Sequence, residues 1–106
     1  MPIEFNGYNK LMEECGELIG ITAKKASYPN TDKHPDGGSF WRFMEDEIGD
    51  VIAMIEYVTN RHALDQNRIM ERARKKLQRH HQAFPKRTTD VQSTKEAVLY
   101  LHLSQR

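Results

Sequence analysis

Apolar residues recur along this chain at helical spacing in three blocks, and proline, glycine and short polar stretches separate them. From about Asn6 to Ala26, Tyr8, Leu11, Met12, Cys15, Leu18, Ile19 and Thr22 gather on one side of a helix advancing about 100° per residue. Pro29 closes this block, because the residue ahead of a proline is driven out of the helical region. Tyr28 to Gly38, YPNTDKHPDGG, holds two prolines and two glycines and reads as a loop.

Ser39 then caps a second helix, with Phe40 and Trp41 in its first turn and an end at Arg61 or His62. Its apolar arc collects Phe43, Met44, Ile48, Val51, Met54, Ile55, Tyr57 and Val58. After a connection of His62 to Leu64, Asp65 caps a third helix that ends near Phe84, before Pro85. The third stripe is Ile69, Ala73, Leu77, His80 and Phe84, with Met70 at one side. Beyond Pro85, Ser93 and Glu96 have the spacing of a capping box, which favours a short fourth helix over about Thr94 to Leu103; a strand is the alternative for AVLYLHL. Long helices on short links predict an all-α antiparallel bundle of three long helices and a short C-terminal one, with residues 1–84 as a domain and 85–106 as a tail.

Composition adds three constraints. At 106 residues the chain builds one small core, so oligomerisation would help its stability. The net charge is only +1, which argues against a dedicated nucleic-acid binder, yet the charge is unevenly spread. Eleven of the fifteen acids precede Arg61, whereas eight of the sixteen Lys and Arg residues lie between Arg68 and Arg87, opposed only by Glu71. The single cysteine, Cys15, excludes an intrachain disulfide and a multi-cysteine zinc site, and its place on an apolar arc predicts a buried thiol. No run reaches the roughly 18 apolar residues of a membrane span, and MPIEFNGYNK lacks the apolar core of a signal peptide, so the expected location is cytoplasmic.

Four acids break the pattern. Glu47 falls between Met54 and Val58 on the second helix, and Asp50 between Phe43 and Tyr57, while Glu45 and Glu56 fall on the opposite, solvated side. On the first helix Glu14 falls between Leu18 and Ile21, and Glu17 just beyond Ile21. Each helix thus carries two acids one turn apart on or beside its apolar face. A carboxylate taken out of water needs a positive partner. Four carboxylates brought together across two helices suit a hard divalent cation, Mg²⁺ or Mn²⁺, held with water and substrate phosphates. Di-iron bundles use Glu-x-x-His, and neither pair contains histidine. On the third helix Lys76 falls within about 20° of Ile69, flanked by Arg72 and Arg79, a basic edge suited to phosphates. No GxxxxGK[ST] sequence is present, so a triphosphate would be held by side chains and metal rather than by a P-loop.

Glu14-Cys-Gly-Glu17 followed by Glu47-Ile-Gly-Asp50 resembles the ExxE…ExxD signature of the MazG-like, all-α nucleoside triphosphate pyrophosphohydrolases, and EECGEL and EDEIGDV resemble that family's two core helices. The resemblance spans roughly Asn6 to Phe84. It implies a dimeric or tetrameric helical bundle that binds Mg²⁺ through Glu14, Glu17, Glu47 and Asp50 and hydrolyses a (deoxy)nucleoside triphosphate to the monophosphate and pyrophosphate. Glu14 and Glu47 are the catalytic candidates; the general base is expected to be one of the four acids acting through a metal-bound water, with Glu14 the first choice. By the same resemblance Arg72, Lys76 and Arg79 would meet the phosphates. Independently of it, Trp41 in the first turn of the second helix is a candidate to stack on the base at the mouth of the site.

Each assignment has a plainer counterpart. The four acids would otherwise pair with Lys10, Lys24 or the basic residues of the third helix, Lys76 would snorkel along the core edge, and Trp41 would pack. His34, His62, His80 and His81 have no shared ligand spacing and read as surface or packing residues. For the whole chain, the alternative to an enzyme is a non-catalytic helical interaction module whose basic third helix binds nucleic acid or an acidic partner, a reading that leaves the embedded acids unexplained.

Overall fold

In the computed structural model, which describes residues 5–83, three helices follow one another: α1 (Tyr8–Ser27), α2 (Phe40–Arg61) and α3 (Gln66–Ala83). Among the described residues there is no strand, only one isolated bridge between Lys33 and Ser39. The predicted fourth helix and the rest of the tail lie outside the described residues, as does Phe84. The chain divides into two compact units between Ala63 and Leu64.

The first unit is a helical hairpin. Gly7 touches Tyr57 and Val58, the acids of α1 meet those of α2, and Lys25 lies over Phe40, so the contacts run down α2 as they run up α1. The two helices are therefore antiparallel, and features at both ends fix their register.

At one end Gly7 is the N-cap of α1 with φ of 86°, and a Cβ built there would lie 2.8 Å from Tyr57 Cδ1 and 2.9 Å from Val58 Cγ2. Only glycine accepts both the left-handed conformation and the close approach. The preceding residues are tied to the end of α2: Tyr57 Oη donates to the Phe5 carbonyl at 3.1 Å, and His62 Nε2 donates to the Asn6 carbonyl at 2.8 Å while its ring stacks on Tyr8. Asn6 Oδ1 in turn accepts from the Tyr8 amide, supplying the cap that Gly7 lacks.

At the other end the Tyr28–Gly38 loop is a built turn. The Phe40 amide donates to the Asp32 carbonyl at 2.8 Å, and the His34 amide to the Gly38 carbonyl at 2.9 Å. The Asp36 amide donates to His34 Nδ1, fixing the imidazole ring, which packs 5.1 Å from both Phe40 and Phe43 between centroids. Gly37 and Gly38 turn the chain at φ of 106° and 84°. Phe40 is fully enclosed at 0 % exposure. Ser39 caps α2 as the sequence predicts, its Oγ accepting from the Trp41 and Arg42 amides.

The buried side of α1 differs from the expected one. Glu14 is buried and Leu11, Leu18, Ile21 and Lys25 are half-buried, whereas Met12 and Ile19 are 63 % and 68 % exposed and Thr22 turns back to the Leu18 carbonyl. The apolar arc of α1 is wider than one neighbour can cover, and α2 takes its margin, where Leu11, Leu18 and Ile21 adjoin Glu14 and Lys25. Cys15, expected to be buried, is half-buried at the margin of that contact.

The second unit contains α3. Asp65 caps it as predicted, its Oδ1 accepting from the Arg68 amide at 3.0 Å. Met70 is buried, with Gln66, Ala73, Leu77 and His81 half-buried on the same side. Ile69, expected within the stripe, is 37 % exposed, and His80 is exposed as well. The buried side is turned from Ile69 toward Met70 because the long basic side chains claim the sector beside Ile69 for solvent.

Replacing Gly7 by Ala is expected to lower stability by about 1–3 kcal/mol, from the left-handed strain and the clash with Tyr57 and Val58. Ser39→Ala is expected to cost about 1 kcal/mol through the lost cap. Chemical denaturation of the variants checks both; an unchanged midpoint for Gly7→Ala would show that the α1 entry does not set the register.

Candidate metal centre

The antiparallel register brings the two acid pairs face to face midway along the hairpin. One carboxylate oxygen from each of Glu14, Glu17, Glu47 and Asp50 lies within 4.8 Å of the others. The four differ in burial: Glu14 is buried at 7 % exposure, Glu47 half-buried, and Glu17 and Asp50 exposed. The cluster is therefore closed at its floor and open to solvent at its rim. The helical turn explains this gradient, since Glu14 and Glu47 lie nearest the middle of the α1–α2 contact and the acids three residues on lie at its edge.

Two oxygens have no hydrogen-bond partner, Glu14 Oε2 and Glu47 Oε2, and both are shielded from solvent. A buried carboxylate oxygen without a donor or cation is costly, and here two of them lie in one cluster. Glu14 Oε1 does have a partner, the Lys10 ammonium at 3.3 Å, one turn earlier on α1. Lys10 also reaches Glu13 Oε1 at 3.3 Å. Its hydrogen bond to Glu14, and secondarily that to Glu13, raise the ammonium pKa above the ordinary lysine value. The stabilisation linked to that shift is complete below the unfolded-state lysine pKa and is lost only as pH rises through the folded-state value, so it is constant at neutral pH.

A single lysine at one oxygen does not neutralise four carboxylates. The donors are all hard oxygens, none is a histidine or thiolate, and two shielded oxygens are open, a set that could hold a metal ion. Among the described residues, the plainer reading, in which the acids are consumed by salt bridges, holds for Glu14 Oε1 only. Lys24 pairs with Asp36 and Lys25 with Asp32, both away from the cluster.

The remaining sequence candidates are Trp41 in the first unit and Arg72, Lys76 and Arg79 in the second. Trp41 stands in the first turn of α2, two helical turns before Glu47, about half exposed, with Lys25 Nζ 5.4 Å from its ring centroid. Arg72, Lys76 and Arg79 belong to the second unit, where all three are exposed on one face of α3 together with Arg68 and Lys75. An open cavity of about 220 Å³ on that face is lined by Arg68, Glu71, Arg72 and Lys75.

One residue, Lys25, stands out in the structure although the sequence pattern does not single it out. Lys25 is mostly enclosed, donating to the Tyr28 carbonyl at 3.1 Å and lying over Phe40 and Trp41. The signal was its wheel position, on the same sector of α1 as Glu14 and Ile21. His34 is a packing residue as expected, but its partners Phe40 and Phe43 come from beyond the loop and no local pattern names them.

Titration with Mg²⁺ or Mn²⁺ is expected to raise the thermal midpoint, by an amount equivalent to about 1–3 kcal/mol once the cation is well above its dissociation constant. Glu14→Gln should abolish that shift. Differential scanning calorimetry decides; a midpoint indifferent to either cation would mean that the cluster holds none.

No known family, curated protein or solved structure matches the chain.

Proposed function

We propose that this chain is a Mg²⁺-dependent nucleoside triphosphate pyrophosphohydrolase of the MazG-like kind, cleaving a (deoxy)nucleoside triphosphate to the monophosphate and pyrophosphate. The observation that carries the reading is the meeting of Glu14, Glu17, Glu47 and Asp50 within 4.8 Å, with a shielded, unpartnered oxygen on each of Glu14 and Glu47. A cluster of acids alone is common on helix surfaces. One that shields an unpartnered carboxylate oxygen on each of two acids, in the ExxE and ExxD pattern, is costly without a cation to compensate it.

In this reading the four carboxylates hold Mg²⁺, or Mn²⁺ in its place. When bound, the cation supplies charge neutralisation at the phosphate oxygens and lowers the pKa of a coordinated water. The exposed rim of Glu17 and Asp50 leaves an open approach for the triphosphate, while the enclosed floor holds Glu14 and Glu47 in place. Glu14 is assigned as general base, and its role is to accept the proton from the attacking water. Arg72, Lys76 and Arg79 are assigned to the phosphates, where their charges would offset negative charge developing on the leaving pyrophosphate. Trp41, with a half-exposed indole, is assigned to stacking on the base.

Homo-oligomerisation, as a dimer or tetramer, belongs to the same reading. The α1 face bearing Met12, Gly16, Ile19 and Ala23 is exposed, carries no charge, and bears two of the most exposed large apolar side chains among the described residues. An uncharged face can pair with its own copy without like-charge repulsion. The basic face of α3 supports the competing reading, a binding module for nucleic acid or an acidic partner, and that reading requires binding that collapses as salt rises.

The deciding experiment incubates the purified chain with Mg²⁺ and a panel of ribo- and deoxynucleoside triphosphates and separates pyrophosphate from orthophosphate. Pyrophosphate with monophosphate is the expected product pair, lost by at least about a hundredfold in Glu47→Gln, whose thermal midpoint should equal or exceed that of the parent because like-charge repulsion is relieved. No turnover with either cation would favour the binding module. For assembly, Ile19→Arg is expected to shift the chain toward monomer in sedimentation velocity; an unchanged distribution would remove the α1 face from the interface.

A further inference from the structure

Lys10 is the one cation that the described residues place on the acid cluster, and its geometry is that of a substitute. Its ammonium lies 3.3 Å from Glu14 Oε1 and equally 3.3 Å from Glu13 Oε1. The first carboxylate is buried and belongs to the cluster; the second is more than half exposed and does not. Lys10 itself is 44 % exposed, so its four-carbon stem is free to carry the charge between the two without disturbing the helix. While it contacts Glu14 it covers one oxygen and leaves Oε2 unpartnered within the hairpin.

We propose that Lys10 is a tethered counter-ion of the cluster: it partly compensates Glu14 when no divalent cation is bound, leans onto Glu13 when one enters, and so sets how tightly the site binds its cation. The inference rests on the reading that the four carboxylates form a divalent cation site. Lys10 is a positioning residue and touches no substrate. Its charge opposes a dication entering beside Glu14, and Glu13 is the seat that lets it retreat. Removing the charge leaves the four carboxylates undiluted for the cation, whereas removing Glu13 pins the ammonium on Glu14. At the few ångströms involved, in a solvent-rimmed and screened site, one positive charge changes dication affinity by about three- to tenfold.

The test is Mn²⁺ binding measured by isothermal titration calorimetry on the full chain, with circular dichroism as the folding check. Lys10→Met is expected to tighten Mn²⁺ binding about three- to tenfold, Lys10→Arg to leave it near the parent value, and Glu13→Gln to weaken it. In the Lys10→Met background the Glu13→Gln effect should shrink, because the two side chains act as a pair. If Lys10→Met misfolds, Lys10→Gln carries the same expectation. A parent protein that binds Mn²⁺ while Lys10→Met and Lys10→Gln bind it equally or more weakly would overturn the role of Lys10 and leave the cation site standing. A parent protein that binds no Mn²⁺ would overturn both.

Discussion

Carboxylates concentrated at one point of a two-helix contact are the constraint that the rest of the first unit has to accommodate. Within 4.8 Å of one another, ionised carboxylates repel by about 1 kcal/mol per pair in water and by several where solvent is partly excluded. The hairpin brings them together because its register is set at both ends by contacts that do not involve the acids. Gly7 against Tyr57 and Val58 sets one end, and Phe40 enclosed by the loop and Lys25 sets the other. The middle is then obliged to juxtapose ExxE with ExxD. Stability spent in this way at a single cluster is characteristic of a site built for a ligand.

The hairpin has little else to spend. Phe40 is the only large side chain fully buried among the described residues, and most of the apolar positions on both helices remain half-exposed. Two helices enclose little volume, so the loop and the Phe5–Tyr8 segment add a disproportionate share of ordered contacts. The same shortage explains why α1 leaves Met12 and Ile19 in solvent and why further helices, from this chain or a second copy, would gain by covering them.

How much of this was legible follows from which signals are local. The helix limits were set by single residues acting on their neighbours: Ser39 and Asp65 cap the helices the sequence assigned to them, and the chain leaves α1 just ahead of Pro29. The acids were legible because 100° stepping places Glu14 and Glu47 inside apolar arcs, where a charge demands an explanation. Periodicity could not choose which part of the wide arc on α1 meets α2, so Met12 and Ile19 were assigned inward. On α3 it overstated Ile69 and understated Met70. The caging of Lys25, the packing of His34 and the two contacts of Lys10 depend on tertiary neighbours or rotamers, which no local pattern specifies. The oligomeric bundle and the nucleotide chemistry are proposals that the resemblance and the acid cluster support, and the basic residues of α3 enter through their wheel positions as well as through the resemblance.

The proposed function turns on a cation between the four carboxylates, and anomalous diffraction from a crystal soaked in Mn²⁺ tests for it most directly. The expected result is an anomalous peak within coordination distance of Glu14, Glu17, Glu47 and Asp50, with Lys10 Nζ withdrawn from Glu14 toward Glu13. A map with no peak among these residues, and Lys10 still on Glu14, would contradict it.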